Sequence, residues 1–216
     1  MLMGQAARWW GVVLGVLLCT FLICHMLSMF TGMMRRSYAL VSDIPEAGIW
    51  VMDPAVEYAD EPAGLPPTAL HRVRGVTGVA WAVPFYSGSM RVRLPHGAFK
   101  PVLLIGVDDE TLIGAPRDLV AGDLGALRGT DAVIVDDAAT RSTLRTVDEP
   151  SPRAPGWNPP RLDVPTREMA VGDEMTANDH RMVVAGVARL TPRFLARAVV
   201  YTTYSRAETI TPRQRN

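Results

Sequence analysis

Trp9-Trp10-Gly11-Val12-Val13-Leu14-Gly15-Val16-Leu17-Leu18-Cys19-Thr20-Phe21-Leu22-Ile23-Cys24-His25-Met26-Leu27-Ser28-Met29-Phe30 is a run of 22 residues without a formal charge. As a helix rising about 1.5 Å per residue it reaches roughly 33 Å, enough to cross the hydrocarbon core of a bilayer. No later stretch approaches that length of apolar sequence. The sequence therefore predicts one membrane span, residues 9–31, followed by one large extramembrane part, residues 32–210. Residues 1–8 precede the span and 211–216 form a polar tail.

The alternative for the N-terminus is a cleavable signal peptide, whose apolar core runs about 7–15 residues and ends in a small-x-small site. Here the run is longer, and Ser28–Met34 carries no such site. Trp9 and Trp10 suit one interface and Arg35-Arg36 mark the other. Arg8 and the amino terminus nearly balance Arg35 and Arg36, so charge does not decide orientation. His25, the one ionisable side chain in the span, is either a functional group or a tolerated neutral imidazole. Gly11 and Gly15 form a GxxxG pair, a candidate helix-packing site or simply the glycine content common in such helices.

Beyond the span stand 21 basic and 22 acidic side chains, a balance that argues against a nucleic-acid partner, which needs a basic footprint. Both cysteines, Cys19 and Cys24, lie within the span, leaving the remainder without disulfides.

Strands and short helices alternate through that remainder. Gly48–Met52 (GIWVM) and Gly78–Phe85 (GVAWAVPF) are predicted strands. Asp60–Pro67 is an acidic loop, and Pro66-Pro67 opens a helix to about Arg74, with Gly75 to end it. Leu70, Val73 and Val76 are its expected buried edge. Met90, Val92 and Leu94 alternate with Arg91 and Arg93, the period-two pattern of a half-buried strand. Pro95-His96-Gly97 turns the chain and Phe99–Val107 returns, completing a hairpin. Asp108-Asp109 and Asp123 are expected to cap short helical turns through Ile113 and Leu127. Ala132–Val135 is a buried strand, and Asp136 or Asp137 caps a helix through Leu144. Residues 146–166 carry six prolines around Trp157 and read as an extended loop. A second hairpin turns at Asn178-Asp179 between Asp173–Ala177 and Arg181–Val187, and Val199–Thr202 is the last strand.

No motif for chemistry emerges. No glycine-rich loop precedes a Lys-Ser/Thr pair, and the four histidines are too scattered for metal-ligand spacing. Asp108-Asp109 and Asp136-Asp137 follow buried strands, where catalytic carboxylates occur, but those are also helix N-cap positions. Ser87-Gly88-Ser89 lacks the context of a nucleophile elbow. His180 sits at a turn, and Arg91 and Arg93 either read anionic groups or keep a strand face wet. The expectation is no catalytic residue, no metal site, no cofactor and no enzymatic activity.

Several segments resemble a known family: Gly48–Pro54 (GIWVMDP), Leu70–Gly88 (LHRVRGVTGVAWAVPFYSG), Val102–Pro116 (VLLIGVDDETLIGAP), Asp131–Ala138 (DAVIVDDA) and Val199–Ala207 (VVYTTYSRA). With the Gly172-Asp173 hairpin ending in Val183–Val187, they are similar to the extracytoplasmic domain of ABC-transporter permeases of the MacB type, in its DevC branch. The likeness covers roughly residues 5–210 in order. It implies an α+β protein with a cytoplasmic N-terminus, a first transmembrane helix and a mixed α/β periplasmic domain, porter-like, with βαβ and β-hairpin portions.

The resemblance further implies a homodimer in the inner membrane and, once the family's further spans are supplied, a separate ATP-binding subunit. It also implies a HlyD-type periplasmic adaptor and, indirectly, an outer-membrane channel. Family permeases continue past the Ser205-Arg206-Ala207 segment into further spans, usually three. This sequence stops near where the second would begin, so the expectation is an N-terminal part whose FtsX-like spans are missing or encoded separately. The alternative is a membrane-anchored periplasmic scaffold without transport activity.

Overall fold

A computed structural model describes residues 6–54, 56, 64–66, 68–148, 165–193 and 197–211. Most of the acidic loop 60–67, the proline-rich stretch 149–164, the first five residues and the tail 212–216 lie outside the described residues.

Helix α1, Ala6–Ser37, is 32 residues long and extends about 48 Å, past the apolar run and through Arg35-Arg36. Its hydroxyl side chains bond within the helix. Thr20, Ser28 and Thr31 hydroxyls donate to the carbonyls of Val16, Cys24 and Leu27, each at 2.8 Å. Such back-bonding is what lets hydroxyl side chains sit in an apolar helix. By length and composition α1 can cross a membrane.

A mixed helix–sheet domain follows. After α2 (Ala39–Ser42) and α3 (Ala69–Arg74) come β1 (Tyr86–Arg93), β2 (Phe99–Val107), β3 (Leu119–Gly122) and β4 (Ala132–Asp136). Next are α4 (Asp137–Thr140), β5 (Glu174–Ala177), β6 (His180–Ala188), β7 (Ala198–Thr203) and α5 (Tyr204–Ile210). The sheet order is β3-β6-β4-β7-β2-β1-β5, and β5 pairs again with β6, so the sheet curls into a ring of six strands with β3 attached outside it. β2–β7 and β4–β6 are parallel pairs; β4–β7, β1–β2, β5–β6 and β3–β6 are antiparallel. α4 lies in the connection between the parallel strands β4 and β6.

β2 is buried on both faces, which is why Val102–Val107 is continuously apolar. Val102 and Leu104 join Met90, Val92, Val133, Val135, Val184 and Val200 in one cluster, which α5 completes with Ala207 and Ile210. Leu103 and Ile105 point the other way, into a cluster with Ile134, Val199, Tyr201, Leu112 and Leu127. Both predicted hairpins form. Gly97 takes φ +89°, and Asn178 and Asp179 take φ +45° and +64°, the left-handed pair that a two-residue hairpin turn needs.

Four expectations are corrected. Gly48–Met52 is extended chain without a ladder; Ile49 is 84% exposed, and only Trp50 finds a partner, edge-on to Phe85 at 5.2 Å. Gly78–Phe85 is likewise not a strand: Pro84 offers no N–H for a ladder, and pairing starts at Tyr86. The helix after Asp136 ends at Thr140, where the hydroxyls of Thr140 and Ser142 turn back onto the carbonyls of Asp137 and Ala138 and compete with helix continuation. Val76 lies past the end of α3 and is 57% exposed, while Leu70 and Val73 are half-buried as expected.

Candidate functional site at the junction of the apolar helix and the sheet

A single residue, Tyr38, separates α1 from α2. α2 is one turn long, yet Ala39 and Leu40 are buried in the domain, as is Ile44 just beyond. Leu40 belongs to the cluster of Leu103, Ile105 and Tyr201, so the chain leaving α1 is keyed directly into the central strands. Burial of side chains of this size contributes roughly 1.5–3 kcal/mol each.

Polar contacts flank this apolar key. Asp43 Oδ1 accepts a hydrogen bond from Thr191 Oγ1 at 2.7 Å, joining the end of α2 to the segment that follows β6. Two residues further, Arg193 is only 6% exposed and donates from Nη2 to the Tyr201 hydroxyl at 3.2 Å. Tyr201 stands mid-strand in β7, opposite Ile105 of β2 and Ile134 of β4. Burial pushes its phenol up to about 12, with Arg193 opposing and Asp43 and Asp136 reinforcing the shift. It therefore stays a neutral donor and acceptor at physiological pH.

Glu46 makes the outermost attachment. It accepts from Arg117 Nε at 3.0 Å, and that hydrogen bond, with one from its own backbone, holds its carboxyl below the usual range. The pair is solvent-exposed, so it contributes little to stability. Leu40, Ile44 and Asp43 therefore dominate the attachment.

The residues singled out in the sequence fall elsewhere. Gly11 and Gly15 lie one turn apart on α1, with nothing within 4 Å of either position where a Cβ would stand. His25 stacks on Phe21, centroids 5.9 Å apart. Asp108 accepts from the Thr111 backbone N–H at 2.9 Å and hydroxyl at 2.7 Å. Asp109 accepts from Ser205 at the start of α5, Asp123 from Ala126 N–H at 3.1 Å, and Asp136 from Ala138 N–H at 3.4 Å. These carboxylates serve as turn and helix caps. Among the described residues no group of three His, Cys, Asp or Glu side chains is placed to hold a metal ion.

Sequence reading missed Asp43, Thr191, Arg193 and Tyr201 as a unit. Asp43 and Thr191 are far apart in the chain, and no local pattern marks either.

No family profile and no curated protein matches the sequence. Among solved structures, the chain is similar to the extracellular domain of the noncanonic ABC-type transporter YknZ from Gram-positive bacteria. Identity is 18% and the TM-score 0.43, over 69% of this chain and 67% of that one. It is also similar to the periplasmic region of MacB from Actinobacillus actinomycetemcomitans, at 14% identity and a TM-score of 0.41, over 65% of this chain and 56% of that one.

Proposed function

We propose that this chain is a permease component of an ATP-driven export system of the ABC type. In this reading α1 crosses the inner membrane once, with residues 9–31 in the bilayer. Residues 32–210 stand in the periplasm and pass on conformational change generated by a separate ATP-binding subunit. The domain docks a HlyD-type adaptor, through which it is linked to an outer-membrane channel, and the subunit works as a homodimer with Gly11 and Gly15 at a helix contact. The protein itself carries out no bond chemistry.

What supports the reading is the packing continuity between the turn after α1 and the central sheet. Val102–Pro116, Asp131–Ala138 and Val199–Ala207, which resemble the permease family, supply β2, β4 and β7 of one sheet. The turn emerging from α1 is built into that same sheet through Leu40 and Asp43. A shift of α1 along or across the bilayer would thus reach close-packed strands, which transmit strain because they deform little.

Affinity purification of the tagged full chain from native membranes in a mild non-ionic detergent tests the proposal. The expected result is co-purification of a subunit with a phosphate-binding loop and ATP hydrolysis by the complex. Intact, folded chain that emerges repeatedly without any ATP-binding subunit, before and after chemical cross-linking, contradicts it.

A further inference from the structure

β1 is paired with β2 along all eight of its residues, but its other edge meets β5 at one position only, Arg93 opposite Thr176. β5 is four residues long and turns back into β6. From Tyr86 to Val92 that outer edge has no strand partner among the described residues. No backbone hydrogen bond outside the β2 ladder is made there among the described residues. An unpaired edge is a template for another strand.

The side chains along this strand define what could pair. Gly88, Met90 and Val92 face the core, while Ser89, Arg91 and Arg93 are exposed. Phe99, opposite Arg93, is 63% exposed, and the Arg93 guanidinium lies 5.8 Å from its ring centroid. Arg197 donates to the Ser89 hydroxyl, adding a third guanidinium to the surface. Among the described residues no carboxylate stands within ion-pair distance of Arg91, Arg93 or Arg197. The chain as a whole is formally neutral, so this is a local concentration of positive charge.

We propose that the outer edge of β1 receives an extended acidic segment of a partner protein by strand addition. Carboxylates at alternate positions of that segment lie on the exposed face, where they meet Arg91 directly and reach Arg93 across the diagonal, short of the β5 contact. A second copy of β1 is the wrong occupant, because like charges on neighbouring strands repel. The two arginines thus keep copies apart and admit a strand of opposite charge. This inference stands independently of the export reading.

The test uses the full chain in non-ionic detergent and a fluorescent ten-residue peptide alternating Glu with Val, beside a Lys-Val counterpart. The Glu peptide should bind saturably, bind more weakly as salt is raised, and slow amide exchange within residues 86–92. The charge-reversed variant R91E/R93E should lose roughly tenfold in affinity and prefer the Lys peptide. If that variant does not fold, R91Q/R93Q should weaken binding while leaving the fold intact. A Glu peptide N-methylated on its bonding edge should bind far more weakly. No binding of the Glu peptide, binding indifferent to the arginine substitutions or to N-methylation, or binding without protection of β1 would each overturn the proposal.

Discussion

Thr191 donates its hydroxyl to Asp43 across a sequence separation of 148 residues, tying the first turn after the apolar helix to the strand that ends at Ala188. Beside it, Leu40 packs among Leu103, Ile105 and Tyr201. The junction thus has a polar half and an apolar half, which substitutions can separate.

Thr191→Val removes the donor and leaves a half-buried carboxylate without it, which should cost about 1–2 kcal/mol. Leu40→Ala should cost more, about 2–5 kcal/mol, because it opens a cavity under α2. Val41→Ala, on the exposed side of the same turn, should change stability by less than about 0.5 kcal/mol. Thermal unfolding of the full chain in detergent measures all three. An order with Val41 costliest would mean that α2 is not seated as described.

Asp173 and Asp136 should respond to pH in opposite senses. Burial alone would raise Asp173, but Arg167, bonded to both carboxylate oxygens at 2.6 Å, and the Ala170 N–H outweigh it and hold the carboxyl below its usual value. A depressed folded value gives stability that is present above the unfolded pKa and lost as pH falls through the folded one. Asp173→Asn should therefore cost about 1–2 kcal/mol at pH 7, allowing for solvent screening of the half-exposed Arg167. The difference from wild type should shrink below about pH 4.

Asp136 is raised, chiefly by burial and also by the neighbouring Asp137, against backbone hydrogen bonds from Ala138, Leu190 and Ala139. A raised folded value favours the fold below the unfolded pKa and ceases to do so as pH rises through the folded one. Asn keeps the acceptor that caps α4 and removes the buried charge. Asp136→Asn should be neutral or stabilising at pH 7, with any gain over wild type vanishing in acid below about pH 4. Urea titrations at pH 3.5 and pH 7 check both variants.

α5 packs closely on β2 at Gly106. A Cβ there would stand 2.7 Å from the Ala207 Cβ and 3.2 Å from the Tyr204 Cα. Gly106→Val should lift α5 and cost about 1–3 kcal/mol or more. Gly48→Ala, with open space around it, should have little effect. Amide exchange within residues 204–210 should rise in the first variant and stay unchanged in the second.

Gly11 and Gly15 leave one face of α1 flat, which permits close approach of a second helix. If the subunit dimerises there, leucine at both positions should weaken self-association in a membrane two-hybrid assay. Leucine at Val12 and Val16 should not. Equal signals from the two pairs would remove this contact from the account.

The sequence made some of this fold legible and hid the rest for physical reasons. Met90, Val92 and Leu94 alternate with Arg91 and Arg93 because one face of β1 is in the core, and that pattern needs no distant information. Asn178-Asp179 is similarly local, since few other residues tolerate two successive positive φ angles. α5 was invisible because its helix depends on remote partners: Asp109 caps it, and Arg206 bonds Asp131 and the Arg181 carbonyl. β3 was missed for the same reason, being four mostly exposed residues that borrow their ladder from β6. Gly48–Met52 misled in the other direction, as apolar sequence that finds no strand edge. The junction escaped altogether, because Asp43 and Thr191 acquire meaning only once the sheet has closed.

The placement of the domain across the membrane from the cytoplasm is tested most directly by labelling a single thiol. Cys19 and Cys24 are replaced by serine, and Thr130, exposed in the turn before β4, by cysteine. A membrane-impermeant maleimide is then applied to intact spheroplasts. The account predicts full labelling without permeabilisation, whereas a thiol that reacts only after the cells are broken open would contradict it.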